Sequence, residues 1–168
     1  MISDEALMLE FQGGSRPAFE EVFARYREPL YGFFRRRLTN RERAEDLTQE
    51  AFIVVIRATV RYQPKALFRT YLYSIALNLL AAERRKLART APAANEVIEN
   101  EVLWVREALQ KLEPSDREIL MLREYEQLSY AEIAELLRIP INTVRSRLFR
   151  SRLALKCHLE PEREGVKC

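Results

Sequence analysis

The strongest constraint on the fold is the stretch from residue 129 to 156, SYAEIAELLRIPINTVRSRLFRSRLALK. Ser129 and Glu132 form the pattern of a capping box, in which a hydroxyl and a carboxylate satisfy backbone N–H groups at the start of a helix. Apolar residues recur at helical spacing until Pro140, which cannot continue the helix. Asn142 is then expected to be the N-cap of a second helix. The pattern predicts a helix-turn-helix.

The second helix carries only positive charge. Between residues 142 and 156 there are four arginines, one lysine and no acidic residue. Arginine can bind guanine or phosphate, and serine and threonine can contact either group. A surface helix that pairs with acidic neighbours is the alternative for such a charge run. The buried stripe of this second helix is expected to be Ile141, Val144, Leu148 and Leu155. Its predicted contacts with duplex DNA are Asn142, Thr143, Arg145, Ser146, Arg147 and Arg150.

Composition indicates a folded, all-α protein. The 168 residues are 48% hydrophobic and 32% charged, with only four glycines and few alternating β-branched residues. No apolar run approaches the ~18 residues of a membrane span, and no signal peptide is recognisable, so a cytoplasmic protein without membrane insertion is expected. Both cysteines lie near the C-terminus, which indicates a reducing compartment and no disulfide framework.

Three helices are predicted before residue 60. The first covers residues 4–12 and ends at two glycines. The second opens at Pro17, carries an aromatic core stripe, and is expected to kink or break near Glu28 because Pro29 follows. Residues 35–37, all arginine, are interpreted as its solvated C-terminal end.

The third helix, residues 41–58, has two distinct faces. Its inward face is predicted to be Ala44, Leu47, Ala51, Val54, Val55 and Ala58. The opposite face carries Asp46, Gln49, Glu50 and Ile53 at helical spacing. Solvation explains the polar residues, but an aliphatic residue among them indicates a protein partner.

Aromatic and cationic residues alternate from residue 59 to 86, in a loop followed by a helix. Exposed aromatic faces can stack on bases while cations follow phosphates, so we predict a platform for single-stranded DNA. Phe68 and Tyr71 lie close to core spacing, and a structural role is the alternative for them. The predicted contacts are Arg61, Tyr62, Lys65, Arg69, Asn78, Arg84 and Arg85.

A change in periodicity divides the chain into two small helical domains. Residues 88–97 lose hydrophobic periodicity and contain a proline, so they are interpreted as a linker between an N-terminal domain, 1–87, and a C-terminal domain, 98–157. The second domain is expected to have four helices, with a second capping box at Ser115 and Glu118.

Residues 158–168 are expected to be a disordered tail. Cys157, His158 and Cys168 are the available metal or redox residues, but no CxxC or HxxxC pair is present. We therefore expect no metal site and no cofactor.

Two separated blocks resemble one protein family. Residues 46–52, DLTQEAF, followed by residues 68–80, FRTYLYSIALNLL, resemble the first conserved domain of bacterial sigma factors of the extracytoplasmic-function group. Residues 112–155, beginning LEPSDREIL, are similar to their second domain. The similarity runs from residue 18 to 155 in the same order, and a chance helix-turn-helix would not supply the first block.

The resemblance implies a partner for each surface. Asp46, Gln49 and Glu50, beside Ile53, match the motif that contacts the clamp helices of the largest subunit of core RNA polymerase. The segment from Arg61 to Lys86, including the non-template-strand position Asn78, matches the part that recognises and opens the minus-ten promoter element. The cationic last helix matches the reader of the minus-thirty-five element. The implied protein is a sigma factor, not an enzyme, with an anti-sigma factor as a further expected partner.

Several residues depart from the family pattern. Tyr71, Leu77 and Ala82 stand where tryptophan, a cation and aspartate are usual, which affects the minus-ten preference. Arg138 and Asn142 stand where glycines are common. The alternative function is a stand-alone helix-turn-helix regulator with an N-terminal effector or dimerisation domain, which would bind palindromic sites tightly without polymerase.

Overall fold

The computed structural model describes residues 1–90 and 103–159, and within these ranges it contains helices and loops but no strand. The all-α prediction is confirmed. The chain divides into two compact units, Met1–Glu99 and Asn100–Cys168. The first unit contains α1 (Asp4–Gln12), α2 (Arg16–Arg35), α3 (Arg41–Ala58) and α4 (Phe68–Thr90). The second contains α5 (Leu103–Gln110), α6 (Pro114–Glu124), α7 (Tyr130–Leu137) and α8 (Ile141–Leu159).

Two predicted boundaries differ from the structure. α4 runs to Thr90, so the first three residues of the predicted linker are helical. They are Ala88, Arg89 and Thr90, and no proline interrupts the chain until Pro92. α8 likewise runs to Leu159, two residues into the predicted tail. The remaining linker residues, 91–97, and the tail from residue 160 lie outside the described residues. The functions predicted for the two domains stay predictions.

Aromatic side chains from separate helices form the core of the first unit. Phe33 and Phe34 are fully buried on α2, and the Phe33 ring lies 5.5 Å from that of Tyr73 on α4. Phe23 of α2 and Phe52 of α3 approach to 4.7 Å between ring centroids. Such aromatic pairs contribute about 0.5–1.5 kcal/mol beyond their burial. Together they fix α3 and α4 against α2.

The structure corrects two expectations for α2. The helix is continuous through Pro29, because buried residues on the following turns, beginning with Leu30, hold it in the core. The arginines at its end are not solvated. Arg37 is only 1% exposed, with its guanidinium 3.8 Å from the centroid of the Phe33 ring. Arg35 is also buried and donates a hydrogen bond to the Leu38 carbonyl at 3.0 Å.

The inward face of α3 differs from the predicted one at its C-terminal end. Ala44, Leu47, Ala51 and Val55 are buried as expected, together with Thr48 and Phe52. Val54 is exposed and Ala58 is half-buried. Phe52 takes the place of Val54 in the core because its ring reaches the aromatic side chains of α2.

In the second unit α8 packs against the other three helices. Val144 and Leu148 of α8 are buried with Ile119 and Leu122 of α6 and Ile133 of α7. The predicted stripe is shifted, since Ile141 is exposed and Leu155 is half-buried, while Ser151 is buried. The Ser151 hydroxyl donates to the Arg147 carbonyl at 2.6 Å, which satisfies a polar group inside the interface.

Two predicted helix caps are not formed. α6 begins at Pro114 with Glu113 as N-cap, and no side chain caps it, so Ser115 and Glu118 do not make a capping box. Proline favours the first helical position, which moves the start ahead of Ser115. Asn142 lies inside α8, because the Pro140 carbonyl already accepts from the Val144 N–H at 3.2 Å.

The C-terminal metal candidates are placed only in part. His158 is half-buried near the end of α8, and Cys168 lies outside the described residues. Cys157 is disulfide-bonded, which corrects the expectation of cysteines outside any disulfide. A disulfide sulfur is not the thiolate that binds metal ions. No helix within the described ranges is long and apolar enough to cross a membrane.

Candidate functional site

The turn between α7 and α8 is built by local hydrogen bonds. Ser129 accepts from the Glu132 N–H at 3.1 Å, and the Glu132 carboxylate accepts from the Ser129 N–H at 2.7 Å, so this capping box is confirmed. Arg138 ends α7 in the left-handed conformation, with φ of 55°. That conformation usually takes glycine and costs an arginine about 1–2 kcal/mol. The turn is thus formed without a glycine at position 138.

α8 presents most of the predicted duplex-binding residues on its outer face. Asn142, Ser146 and Arg150 are exposed and are spaced four residues apart, so they share one side of the helix. Arg145 is exposed on a flank and donates to the Asn142 amide oxygen at 3.3 Å. Thr143 and Arg147 are half-buried on the other flank. The outer face is therefore polar and cationic, as predicted.

The arginines of α8 differ in their partners. Arg152 pairs with Glu124 of α6 at 2.7 Å and lies 3.5 Å from the Tyr130 hydroxyl. Hydrogen bonding to Glu124 raises the pKa of Arg152. Arg147 and Arg150 form no ion pair with any residue in 1–90 or 103–159. Those two cations remain available for phosphates or base edges.

An exposed aromatic residue on the same helix was not among the predicted contacts. Phe149 is 71% exposed, although it is a large apolar side chain in a well-packed unit. It follows Ser146 by three residues and Asn142 by seven, so it lies beside the predicted contacts. Phenylalanine can contact the thymine methyl group in the major groove. Its position outside the buried stripe was the signal available in the sequence.

α3 carries the predicted acidic ridge, defined by Asp46, Gln49, Glu50 and Ile53. The side chains of Asp46 and Glu50 are 60% and 45% exposed, and Ile53 is 43% exposed. Gln49 is exposed on the same face and also lines a surface cavity of about 470 Å³ between α2 and α3. The structure therefore brings all four predicted residues together on one accessible side of the helix.

Arg43 connects the acidic ridge to α4. Its guanidinium lies 3.6 Å from Asp46, 3.5 Å from Glu50 and 2.8 Å from Glu83 of α4. Glu83 is only 5% exposed, and its hydrogen bond to Arg43 lowers the pKa of the carboxyl below the ordinary 4.5. Because the shortest contact of Arg43 is to Glu83, Arg43 only partly neutralises the negative charge of Asp46 and Glu50.

The ridge continues as an aliphatic surface toward the end of α3. Ile56 is 44% exposed, and Val60, in the following 3-10 turn (Thr59–Arg61), is 85% exposed. The sequence prediction did not include these two residues, although they follow Asp46 by ten and fourteen residues, which is close to a whole number of helical turns. A helix of a partner protein that packs along α3 would contact carboxylates near Asp46 and apolar side chains near Val60.

The loop between the 3-10 turn and α4 exposes its cations and buries its aromatic residue. Arg61 and Lys65 are exposed, as a strand-binding role requires. Tyr62 is 7% exposed, because its ring packs 5.7 Å from that of Tyr71 and 6.4 Å from that of Phe68. Burial raises the pKa of Tyr62 to about 12. In this conformation the Tyr62 ring is not accessible to a base, contrary to the sequence prediction.

The other predicted minus-ten residues lie on different faces of α4. Asn78 and Arg85 are exposed and seven residues apart, so they share a face. Tyr71, seven residues before Asn78, is half-buried on that face. Arg69 is nine residues before Asn78, which places it on the opposite side, near enough to Tyr26 of α2 to influence its pKa. Arg84 is exposed but turned about 100° from Arg85.

No cluster of three or more His, Cys, Asp or Glu side chains within residues 1–90 and 103–159 is arranged to hold a metal ion. The exposed functional candidates are charged, amide and aliphatic groups suited to binding macromolecules. Their arrangement on helix faces resembles an interface more than a reaction site.

Comparison with known proteins assigns both units. Residues 22–90 match the model of Sigma-70 region 2, and residues 103–155 match that of Sigma-70, region 4. The RNA polymerase sigma-H factor of Pseudomonas aeruginosa is 30% identical, with 94% of each chain covered. The ECF RNA polymerase sigma-E factor of Escherichia coli K12 is 31% identical, over 95% of this chain and 96% of the relative.

Solved structures agree with this assignment. CnrH, in complex with the cytosolic domain of CnrY, superposes with a TM-score of 0.74 at 25% identity and covers 95% of this chain and 99% of its own. RpoE of Bartonella quintana, in complex with the anti-sigma factor NepR, has the same fold, with a TM-score of 0.69 at 21% identity over 86% and 98%. The match of residues 22–90 also accounts for the first unit, which a stand-alone regulator does not explain. The chain belongs to the extracytoplasmic-function group of the sigma-70 family of RNA polymerase sigma factors.

Proposed function

We propose that this protein is a dissociable specificity subunit that directs core RNA polymerase to promoters. α3 docks on the polymerase, α8 binds the duplex minus-thirty-five element, and the loop after α3 together with α4 holds the melted minus-ten strand. The protein contributes binding energy and position, while phosphodiester chemistry belongs to the polymerase. The observation that carries the proposal is the exposed acidic ridge of α3, because a DNA-binding regulator has no need of it.

The acidic ridge suits a basic helical partner such as the clamp helices of the largest polymerase subunit. Two carboxylates and one amide lie on one face, and Arg43 neutralises them only partly. Ile53 and Ile56 add apolar area, which the binding of a partner helix would remove from water. The cavity beside Gln49 could receive a side chain from that helix.

α8 is proposed to place the duplex without supplying the whole affinity. Arg147 and Arg150 have no ion pair within the described residues, so phosphates or guanine can take that place. Contacts of this kind release counterions, and binding therefore falls steeply with salt. A single helix of this charge favours weak binding to free DNA, which docking on polymerase would strengthen by proximity.

The melted strand is proposed to bind those predicted minus-ten residues that are exposed in the structure. Arg61 and Lys65 can follow phosphates, while Asn78 and Arg85 lie along the outer face of α4. Tyr62 and Arg69 are left out of this surface because Tyr62 is buried and Arg69 lies on the side of α4 opposite to Asn78. Tyr71 is the aromatic residue nearest to the Asn78 face.

An inhibitory protein is a further proposed partner. CnrH is described in complex with the cytosolic domain of CnrY, and the Bartonella quintana protein with an anti-sigma factor. By extension, an anti-sigma factor would cover surfaces of this chain that polymerase or DNA otherwise binds. The exposed aliphatic residues Ile53, Ile56 and Val60 are the apolar surface available for it on the first unit.

Charge reversal on α3 tests the docking proposal. The double variant Asp46→Lys/Glu50→Lys should bind purified core polymerase about 100-fold more weakly, because two attractive contacts become repulsive. Glu10→Lys/Glu20→Lys is the matched control, since it makes the same charge change at exposed positions of α1 and α2. Circular dichroism checks that both variants remain folded. Equal affinities for the two double variants would contradict docking through α3.

A further inference from the structure

Gln12, the last residue of α1, holds the start of the loop that follows α3. Its side-chain amide donates to the carbonyl oxygens of Thr59 at 2.8 Å, Val60 at 3.3 Å and Tyr62 at 3.1 Å. These carbonyls belong to the 3-10 turn and to the residue that ends it. An amide nitrogen has two hydrogens, so the three oxygens share them. One side chain thus fixes the direction in which the chain leaves α3.

Glu5, on the same helix, holds the other end of that loop. Its carboxylate accepts from the Phe68 N–H at 2.7 Å, and Phe68 is the first residue of α4. The first N–H groups of a helix have no partner inside the helix, so an acceptor from another element replaces an N-cap. A negative charge there also complements the helix dipole.

We infer that α1 positions the loop of residues 61–67 for the melted promoter strand, with Gln12 and Glu5 acting as positioning residues at its two ends. This inference rests on the proposed function. Between the two anchors, Arg61, Lys65 and Leu67 are exposed, whereas Tyr62 and Phe68 are buried at the ends. Fixing a loop before it binds removes part of the entropy cost of ordering it on the ligand.

The contacts of Gln12 can be removed without removing the packing of α1. Leu7 and Met8 are buried and attach the helix to the core, and Asp4 pairs with Arg25 of α2 at 2.7 Å. Gln12 itself is exposed, and water can replace it at the loop carbonyls. A variant at Gln12 should therefore change the order of the loop while the first unit stays folded.

Reciprocal substitutions separate hydrogen bonding from general disruption. Gln12→Glu has nearly the same shape but no donor, and it sets a carboxylate against three carbonyl oxygens. Glu5→Gln keeps an acceptor oxygen for the Phe68 N–H, whereas Glu5→Ala removes it. Glu10→Gln, exposed between the two positions on α1, is the control. The inference requires that Gln12→Glu and Glu5→Ala are defective and that Glu5→Gln and Glu10→Gln resemble wild type.

The experiment uses holoenzyme formed from purified core polymerase and each full-length variant. The probes are a promoter fragment that wild-type holoenzyme selects from randomised DNA, and its single non-template strand. Gln12→Glu and Glu5→Ala should each weaken single-strand binding about tenfold, from the loss of one or two hydrogen bonds at the loop. Affinity for core polymerase and the thermal midpoint of the free protein should stay near wild type.

Hydrogen exchange gives a readout that does not depend on transcription. In the free protein, Glu5→Ala should accelerate exchange of the Phe68 amide, and Gln12→Glu should accelerate exchange across residues 61–67. Unchanged single-strand affinity in both variants would overturn the inference and leave the proposed function standing. A parallel fall in thermal midpoint and polymerase affinity would also overturn it, since the residues would then be merely structural. If wild-type holoenzyme selects no fragment, the proposed function fails, and the inference fails with it.

Discussion

α8 and α4 are both proposed to contact DNA, and they are held in place by different kinds of interaction. α8 follows a capped helix and a turn whose hydrogen bonds lie within a few residues, and it leaves two arginines without ion pairs among the described residues. α4 is held by residues far away in sequence, with Glu5 at its first amide and Arg43 at Glu83. Local hydrogen bonds therefore set the start of α8, whereas a contact distant in sequence sets the start of α4.

This difference determines which residues reach the surface. On α8 the predicted contacts remain exposed or half-buried, because the buried stripe is defined by the helix's own periodicity. Around α4 the packing against α1, α2 and α3 buries Tyr62 and leaves Arg69 half-buried. A cationic and aromatic composition alone does not distinguish these outcomes. Variants in both helices, and in the residues that hold them, test whether this contrast is correct.

The largest effect is expected from removing an arginine of α8 that forms no ion pair among the described residues. Arg150→Ala should weaken holoenzyme binding to duplex promoter by about 1–3 kcal/mol, roughly 5- to 150-fold, and reduce its salt dependence. Arg152→Ala is the control on the same helix, because that guanidinium is already paired with Glu124. Fluorescence anisotropy at several salt concentrations measures both. Equal losses would contradict the division into available and committed arginines.

The ion pair that holds α4 should matter for stability. Glu83→Gln keeps an acceptor oxygen for Arg43 but removes the negative charge of the buried carboxylate, and we expect a loss of about 2 kcal/mol in the free energy of unfolding. Asp46→Asn, at an exposed contact of 3.6 Å, should cost far less. Urea denaturation, followed by exchange of α3 and α4 amides, distinguishes the two. Similar losses for both variants would show that Arg43 has no preferred partner.

The same pair predicts a pH dependence. Arg43 lowers the pKa of Glu83 in the folded state, so the stabilisation is fully present above the ordinary carboxyl pKa of 4.5 and is lost as pH falls below it. The stability difference between wild type and Glu83→Gln should therefore shrink below pH 4.5. A difference that stays constant from pH 7 to the acid limit of folding would exclude the ion pair as its cause.

A smaller effect separates two serines that look alike in the sequence. Ser129→Ala removes a formed cap and should destabilise α7 by about 1 kcal/mol. Ser115→Ala should have almost no effect, because the Ser115 side chain does not cap α6. Amide exchange in α7 and α6 under mild urea provides the comparison. Destabilisation of α6 by Ser115→Ala would contradict the observed start of that helix at Pro114.

The smallest effect concerns Phe149. If its exposed ring contacts a thymine methyl, replacing that thymine with deoxyuridine should weaken wild-type binding by about 0.8 kcal/mol, roughly fourfold. Phe149→Ala holoenzyme should not distinguish the two bases. A deoxyuridine scan of the minus-thirty-five element locates the position. No thymine-dependent difference between wild type and variant would remove Phe149 from the DNA surface.

Helix content and the main helix boundaries followed from the sequence because caps, prolines and periodicity act locally. The ends of α1 and α3 and the capping box at Ser129 agree with the prediction. The two glycines after α1 do end it, and Gly14 has φ of 102°, which few other residues adopt. Pro29 was misinterpreted because tertiary packing around Phe33 and Phe34 outweighs the cost of a proline inside the helix.

The site was predictable where exposure follows from helical spacing alone. Asp46, Gln49, Glu50 and Ile53 are on one accessible face because they are set by α3's own periodicity. Tyr62 was not predictable, since its burial depends on Phe68 and Tyr71, beyond a loop that contains a proline. The roles of Gln12 and Glu5 could not be predicted from the sequence either. Their partners are 47 to 63 residues away, and only the folded chain brings them together.

Run-off transcription with purified core polymerase tests the central claim most directly. The account predicts that adding this protein to core polymerase and genomic DNA produces transcripts with discrete start sites. Core polymerase alone, or core polymerase with Asp46→Lys/Glu50→Lys, should produce none of them. The account would be contradicted if the wild-type protein yielded no promoter-specific start on any genomic template while it bound duplex sites tightly by itself.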